Sequence, residues 1–411
     1  MTAVPPNEAR ARSGARAAAV RFVLAFALSM AIAGCSSLPR SPYTAADAQT
    51  TRVLDLTDLR RYADEPASNF RLSGPANMTR DKRTYLALSG GGADGAFGAG
   101  VLNGWTETGT RPVFTIVSGV STGALIAPFA FLGSGYDATL REVYTSGVAQ
   151  SLLDAPNPLN AIFGAGLFGN KRLRELVAAY IDAAFVGKVA AEYAKGRMLF
   201  IVTTNLDSQR TAIWDMGRIA SLGTPAGVGL FQDVVAASAS LPVVFPPMMV
   251  SVEANGRRFE EMHVDGGVTA PVLTLPEAFL LRDAKLGPAG DLDLYILINN
   301  KVEREFQVVP NTTIGIASRS TSTMTKLQTR SILYNTYGFA RRNRYGYHLT
   351  YIEGDRPISP TSGFDTAYMR ELFEHGYERG RGPSLWATSP PVDDTDSSGV
   401  PGPPRKLASG R

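Results

Sequence analysis

Cysteine is nearly missing from these 411 residues: Cys35 is the only one, and a lone cysteine excludes an intrachain disulfide framework. Histidine is almost as scarce, at His263, His348 and His375, which narrows any chemistry that needs an imidazole. The leading apolar run, Phe22 to Ile32, is 11 residues long, short of the ~20 that a membrane-spanning helix needs. An excess of one charge is also absent: 41 Lys and Arg face 37 Asp and Glu. With no basic stripe interleaved with aromatics, nucleic-acid binding is excluded as a reading. What is present is 44% apolar residues and 41 glycines, a balance that suits a globular α/β protein. The length can bury the core of one large domain or two ordinary ones.

The single cysteine sits at an informative place. Arg10, Arg12, Arg16 and Arg21 lead into the short apolar run, which closes on Ile32-Ala-Gly-Cys35-Ser36 after Ala31. A basic front, a short apolar core and small residues before a break read as a signal peptide over residues 1–34. The stretch resembles a bacterial lipobox. That likeness implies lipid modification of Cys35 as the mature first residue, and Ser36 is similar to the outer-membrane-directed type. An ordinary signal peptide with an incidental cysteine is the plainer alternative. Stable anchoring would take two or more acyl chains, since each buried methylene contributes only ~0.8 kcal/mol. Removing the segment takes four arginines and Glu8 with it, so +3 of the +4 net charge leaves and the sequence pI of 9.1 describes only the precursor.

Residues 35–80 read as a tether and a first layer of packing, with short helices expected around Arg52 to Ala63. A strand at Thr84 to Ser89, a glycine-rich bend and a helix near Ala96 to Thr108 form one βα unit. Pro112 to Gly119 and the following Ser121 to Gly133 form a second, and two in series predict a mostly parallel sheet with helices on its faces. Further on, one helix is expected over Arg174 to Gly196, a buried strand over Arg197 to Leu206, and a helix over Phe231 to Pro242. A hairpin follows around Asn255-Gly256, then a strand at Leu292 to Asn300. A long helix over residues 311–340 and a final one from Asp365 to Gly380 complete the expected domain, residues 81–387. The Pro, Asp and Ser-rich stretch over 388–411 reads as a disordered tail.

Three glycine sites carry the chemistry. Gly119-Val-Ser121-Thr-Gly123 falls at a strand-to-helix turn, where a strained nucleophile needs glycine two positions to either side to avoid crowding; a serine N-cap is the simpler reading. Ser89-Gly90-Gly91-Gly92 ends the first strand and can aim backbone N–H groups at one point as an oxyanion hole. Gly90, Gly92 and Gly95 also match a dinucleotide fingerprint, but the second strand ends in the serine turn instead of the carboxylate that fingerprint requires. Asp265-Gly266-Gly267 ends an extended stretch; it exposes a carboxylate or is only a turn.

In this order, separated by roughly 30 and then roughly 140 residues, the three motifs resemble the patatin-like phospholipase family, and the likeness extends over about residues 84–300. The resemblance implies a three-layer α/β sandwich around a mostly parallel sheet. It also implies a serine acyl-ester hydrolase acting on phospholipids or related lipids, with Ser121 as nucleophile, Asp265 as its base and Gly90, Gly91 and Gly92 as oxyanion donors. Gly119, Gly123, Gly266 and Gly267 support the turns, and no cofactor or metal is implied. One departure stands out: Asp94 occupies the glycine-loop position where the family usually carries Arg or Lys.

A histidine base remains the alternative to the dyad. His348 lies in an alternating strand-like run and His375 on the last helix, whereas His263 shares a strand face with Asp265. Asn157 to Gly169 is expected to form an apolar rim near the serine, with Pro242 to Val250 in the same wall. Other functional readings are a non-catalytic envelope scaffold tethered by Cys35, or transfer of the acyl group to an acceptor other than water.

Overall fold

A computed structural model describes residues 40–70, 82–152, 170–281, 286–354 and 363–391. The expected signal peptide with Cys35, the expected rim over 157–169 and all but the first residues of the expected tail lie outside these.

The chain opens with α1 (Ala45–Gln49), β1 (Arg60–Tyr62), β2 (Arg83–Leu88) and α2 (Gly95–Glu107). β3 (Ile116–Val120), α3 (Thr122–Leu132), α4 (Asp137–Thr145), α5 (Asn170–Tyr180) and α6 (Ala183–Ala194) follow. Next come β4 (Met198–Asn205), β5 (Arg210–Asp215), α7 (Pro225–Ser238), β6 (Met248–Ala254) and β7 (Arg257–Asp265). The last are β8 (Leu292–Ile298), α8 (Thr313–Asn343), β9 (Gly346–Tyr351) and α9 (Thr366–Arg381).

One sheet runs in the order β1-β5-β4-β3-β2-β8-β9. The five strands from β4 to β9 are mutually parallel, whereas β1, β5 and β7 pair antiparallel. Side-chain alternation divides its two faces. Leu86 and Leu88 join the core against α2, α3, α7 and α9, while Tyr85 and Ala87 join a second core under α8. β3 is buried at every residue, as a central parallel strand covered on both faces must be.

Two expectations are corrected. Residues 52–63 form no helix: β1 pairs with the free edge of β5, Arg60 opposite Trp214, because that edge needs backbone partners. The single helix over 174–196 is two, α5 and α6, since Asp182 adopts an extended conformation and its side chain accepts the Phe185 N–H at 2.7 Å, starting a new helix.

α2 and α9 approach closely enough for backbone contact. A Cβ at Gly100 would lie 2.0 Å from the Phe373 carbonyl oxygen, and one at Gly376 would lie 2.1 Å from that of Phe97. Gly104 and Gly380 repeat the arrangement one turn on. Replacing Gly376 by valine is expected to lower stability by about 3 kcal/mol or more, the upper range for overpacking a rigid contact. The denaturant midpoint would report it, with Gly187→Ala, whose added methyl meets no atom within 4 Å and needs no left-handed backbone, as the smaller comparison.

Candidate active site

β3 stops at Val120 beside Val202 of β4. Past that point the same edge of β4 pairs with β7, with Thr203 opposite Asp265. The end of β7 therefore meets the end of β3, and a substitution of one strand for another along a shared edge brings position 265 to position 121. A separation of 144 in sequence is closed by sheet register.

Ser121 has φ 55° and ψ −123°, a conformation that only strain-tolerant positions hold in a non-glycine residue. Its flanking glycines make that turn possible. A Cβ at Gly119 would sit 2.3 Å from the Gly123 carbonyl oxygen, and one at Gly123 would sit 2.5 Å from that of Leu88. The serine occupies the N-cap position of α3, yet its side chain makes no capping hydrogen bond. The simpler reading of a capping serine therefore does not hold, and Oγ is left for other work.

Asp265 is buried, and Oδ1 accepts the Gly267 N–H at 2.7 Å. Burial pushes the carboxyl up to about 6, opposed first by the Ser121 hydroxyl beside it and then by the Gly267 N–H. Oδ2 has no hydrogen-bond partner among the described residues. Gly266 is held against Val202, whose carbonyl oxygen would be 2.4 Å from an added Cβ.

The C-terminal end of α7 and the residues just past it fasten both groups. The Ser121 N–H donates to Ser238 Oγ at 3.0 Å, and two residues later the Ser240 carbonyl accepts the Asp265 N–H at 3.0 Å. Ser238 and Ser240 lie within the Ala-Ala-Ser-Ala-Ser run, where sequence alone offered only helix.

The glycine loop lies against the serine: a Cβ at Gly90 would be 3.7 Å from Ser121 Oγ. One of its three expected donors is lost. The Gly90 N–H donates to the Pro271 carbonyl at 2.9 Å, so Gly90 is corrected from donor to anchor. The Gly90 carbonyl accepts from Ser89 Oγ at 2.7 Å and from Asn300 Nδ2 at 3.2 Å. A trans peptide points its N–H opposite to its carbonyl, so pinning that oxygen turns the Gly91 N–H to the other side. The Gly91 carbonyl accepts the Asp94 N–H at 3.1 Å, which orients the Gly92 N–H in the same way. No described residue accepts from Gly91 or Gly92.

The family model for patatin-like phospholipase matches residues 86–276, from β2 through the turn after Asp265. Residues 86–276 are a patatin-like phospholipase domain. The domain makes the protein a lipid acyl hydrolase at the level of the family. Among solved structures, VipD from Legionella pneumophila is 13% identical over 77% of this chain and 71% of its own, with a TM-score of 0.33. The type III effector protein ExoU is 13% identical over 73% of this chain and 53% of its own, with a TM-score of 0.22. Both are loose likenesses, and this chain spans about half the length of the second. No curated protein matches.

The patatin-like domain depends on residues beyond the matched range. Asn299, after β8, donates its N–H to Ser89 Oγ at 2.8 Å and its Nδ2 to the Ser89 carbonyl at 2.9 Å. Gly91 is pressed so close that a Cβ would be 2.1 Å from the Asn299 carbonyl oxygen. Two amides ending a parallel strand beside the glycine strand were the available signal for this clamp.

The three histidines are placed away from the serine hydroxyl. His263 is buried, with Nδ1 on Thr203 Oγ1 at 2.8 Å and Nε2 facing Glu261 at 3.2 Å and Arg60 at 3.3 Å. Both ring nitrogens are occupied. His348 stacks on Tyr295 at 4.5 Å and turns toward Asp293 at the opposite end of β8. His375 lies against the Phe97 ring.

Asp94 occupies the N-cap position of α2 and accepts from Tyr368 Oη at 2.8 Å. Burial raises it to about 6, with Tyr368 opposing the shift. A general base must be deprotonated to work, so with Asp265 in that role ester hydrolysis should rise with pH through about 6. A pH profile of kcat/KM on a soluble ester checks this. The same acid limb in Asp94→Asn assigns it to Asp265, whereas its disappearance there would assign it to Asp94.

Proposed function

We propose that this protein hydrolyses acyl esters of phospholipids or related lipids through a Ser121–Asp265 dyad, with the N–H groups of Gly91 and Gly92 as the oxyanion hole. The observation carrying this reading is the meeting of a strained, uncapped serine with a buried carboxylate whose strongest stabilising neighbour is that serine.

Asp265 takes the proton from Ser121 Oγ as the oxygen attacks the ester carbonyl. The carbonyl electron pair moves onto oxygen, where the two N–H groups receive it. Collapse expels the alcohol, which leaves with the proton from Asp265, and an acyl-serine remains. Water attacks that ester, gives its proton to Asp265, and releases the fatty acid as the proton returns to Ser121. Asp265 suits this alternation because a carboxyl near 6 is both ionised and readily reprotonated close to neutrality.

Cys35 would place this chemistry at the bacterial envelope, as a lipid-modified residue facing the outer membrane. Its support is the Ile-Ala-Gly-Cys-Ser sequence after a short apolar run. Mass measurement of the mature N-terminus checks it: an unacylated Cys35 would overturn the anchor without touching the dyad.

The function is tested with purified protein and a phospholipid labelled in its acyl chains. Fatty acid should appear, a fluorophosphonate should label Ser121, and a His348→Ala, His375→Ala double variant should keep turnover. Loss of turnover in that variant with its fold retained would replace the dyad by a histidine-based site. Acyl transfer to an added alcohol with no free acid would make the enzyme a transferase.

A further inference from the structure

The end of the sheet that holds Ser121 also carries the least water-adapted surface of the described residues. β2, β3, β4 and β8 are parallel, so everything following them emerges at the same end. After β8 the chain exposes Phe306 (95%) and Val308 (81%) before entering α8. Because β9 is parallel to β8, α8 must travel from the site end to the opposite end. Its burial begins only at Thr329, and Gln328 donates to the carbonyl of Thr269, just past the Asp265 turn. The preceding stretch from residue 313 stands beyond the site, about 24 Å of helix at 1.5 Å per residue.

That projecting half exposes Ile316, Met324 (64%) and Leu327. Arg319 and Lys326 are the only charged residues over 313–328. Both turn back to the loop before the helix, Arg319 to the Glu305 carbonyl and Lys326 to the Glu303 carbonyl and the Glu305 carboxylate. Two of its hydroxyls are pre-satisfied: Thr321 donates to the Ala317 carbonyl at 3.0 Å and Thr323 to that of Arg319 at 2.8 Å. A helix whose cations turn back to its own loop, and two of whose threonines already have acceptors, loses less on leaving water than one with outward charges.

The mouth of the site continues this surface. Val268 is exposed three residues after Asp265, and Val243 is exposed at φ 74°, an uncommon strain for a β-branched side chain.

We propose that this end of the molecule docks on a lipid bilayer, with the projecting half of α8 and the 306–308 loop as the contact and Ser121 opening onto it. The position of the chain before Arg40 selects a bilayer over a protein partner. Arg40 is fixed to Asp207 at 2.8 Å, and Asp207 follows β4 at the site end. Four residues lie between it and Cys35, a reach over five steps of at most roughly 18 Å. An acylated Cys35 therefore tethers the molecule by the same end that is apolar. The uncharged face requires no anionic lipid and makes the contact insensitive to salt.

This proposal rests on the proposed function for the identity of the substrate and, through the Cys35 anchor, for the choice of a bilayer, and its test separates the docking from both. The chain from residue 35 on, without the apolar leading segment and carrying Cys35→Ala to remove any acyl anchor, is sedimented with phosphatidylcholine vesicles in low and in 0.5 M salt. It should bind equally in both, about as an interfacial helix does. A combined Ile316→Glu, Met324→Glu, Leu327→Glu variant should lose binding at least about tenfold, the expected scale for placing charge in an apolar contact. Hydrolysis of vesicle lipid should fall with it, while hydrolysis of a soluble short-chain ester stays unchanged. Undiminished vesicle binding by the triple variant overturns the proposal. So does a dimer of the unsubstituted face that the triple variant dissolves, since a second copy would then be what covers it. Absence of ester hydrolysis in both proteins would sink the enzyme reading and leave vesicle binding to judge the docking.

Discussion

Asp265→Asn should fold normally and lose roughly 10³–10⁴-fold in kcat, the scale of removing a general base from a serine hydrolase. Asparagine keeps the shape and can still accept the Gly267 N–H through its side-chain oxygen, so the turn survives. What it cannot do is take the Ser121 proton. Ser121→Ala should lose more, roughly 10⁶-fold, because the residual rate then comes from binding and the oxyanion donors alone. Stopped-flow or steady-state assays on a soluble ester give both numbers, with unfolding midpoints measured alongside. If Asp265→Asn retained more than about a tenth of the rate, a different group would have to be the base.

Gly91→Ala carries the second large effect. The added methyl would lie 2.1 Å from the Asn299 carbonyl oxygen, which is backbone and cannot swing aside. Either the glycine loop or the end of β8 has to shift, and the Gly91 N–H moves from its aim. Loss of one oxyanion donor removes roughly 10²–10³-fold from kcat, with KM little changed because the ground-state ester does not use that bond fully. Gly92→Ala has open space instead, but its φ of 59° strains any side chain and predicts a milder loss. A KM rise with unchanged kcat in Gly91→Ala would show that the loop binds substrate and does not stabilise the transition state.

Much of this was readable from residue order, for reasons local to each stretch. Gly-x-Ser-x-Gly between an apolar strand and an apolar helix declares its turn, because only glycine permits the close contacts that Gly119 and Gly123 make. Glycines after β2 declare a loop of N–H groups but not which of them are already used; Pro271, whose carbonyl takes the Gly90 N–H, is 181 residues away. The clamp by Asn299 and Asn300, the serines at and just past the end of α7, and β1 as an edge strand are all set by non-local pairing. Residues 52–63 have helical spacing, and only the unpaired edge of β5 overrides it. The glycine pairs of α2 and α9 were legible as two Gly-x-x-x-Gly spacings, yet nothing in either helix names the other as its mate.

The guanidinium of Arg60 reaches Glu261 with both nitrogens, one at 2.8 Å, and both residues are buried. Arg60 precedes the matched range and Glu261 lies inside it. A gene fragment cut to the family boundaries would thus carry a buried carboxylate left with His263 but without its guanidinium, and a bare strand edge beside Trp214. Losing one member of a buried ion pair destabilises by roughly 3–5 kcal/mol, so such a fragment should be markedly less stable than the whole chain. The borders of the matched range and those of the folded sheet differ in this molecule.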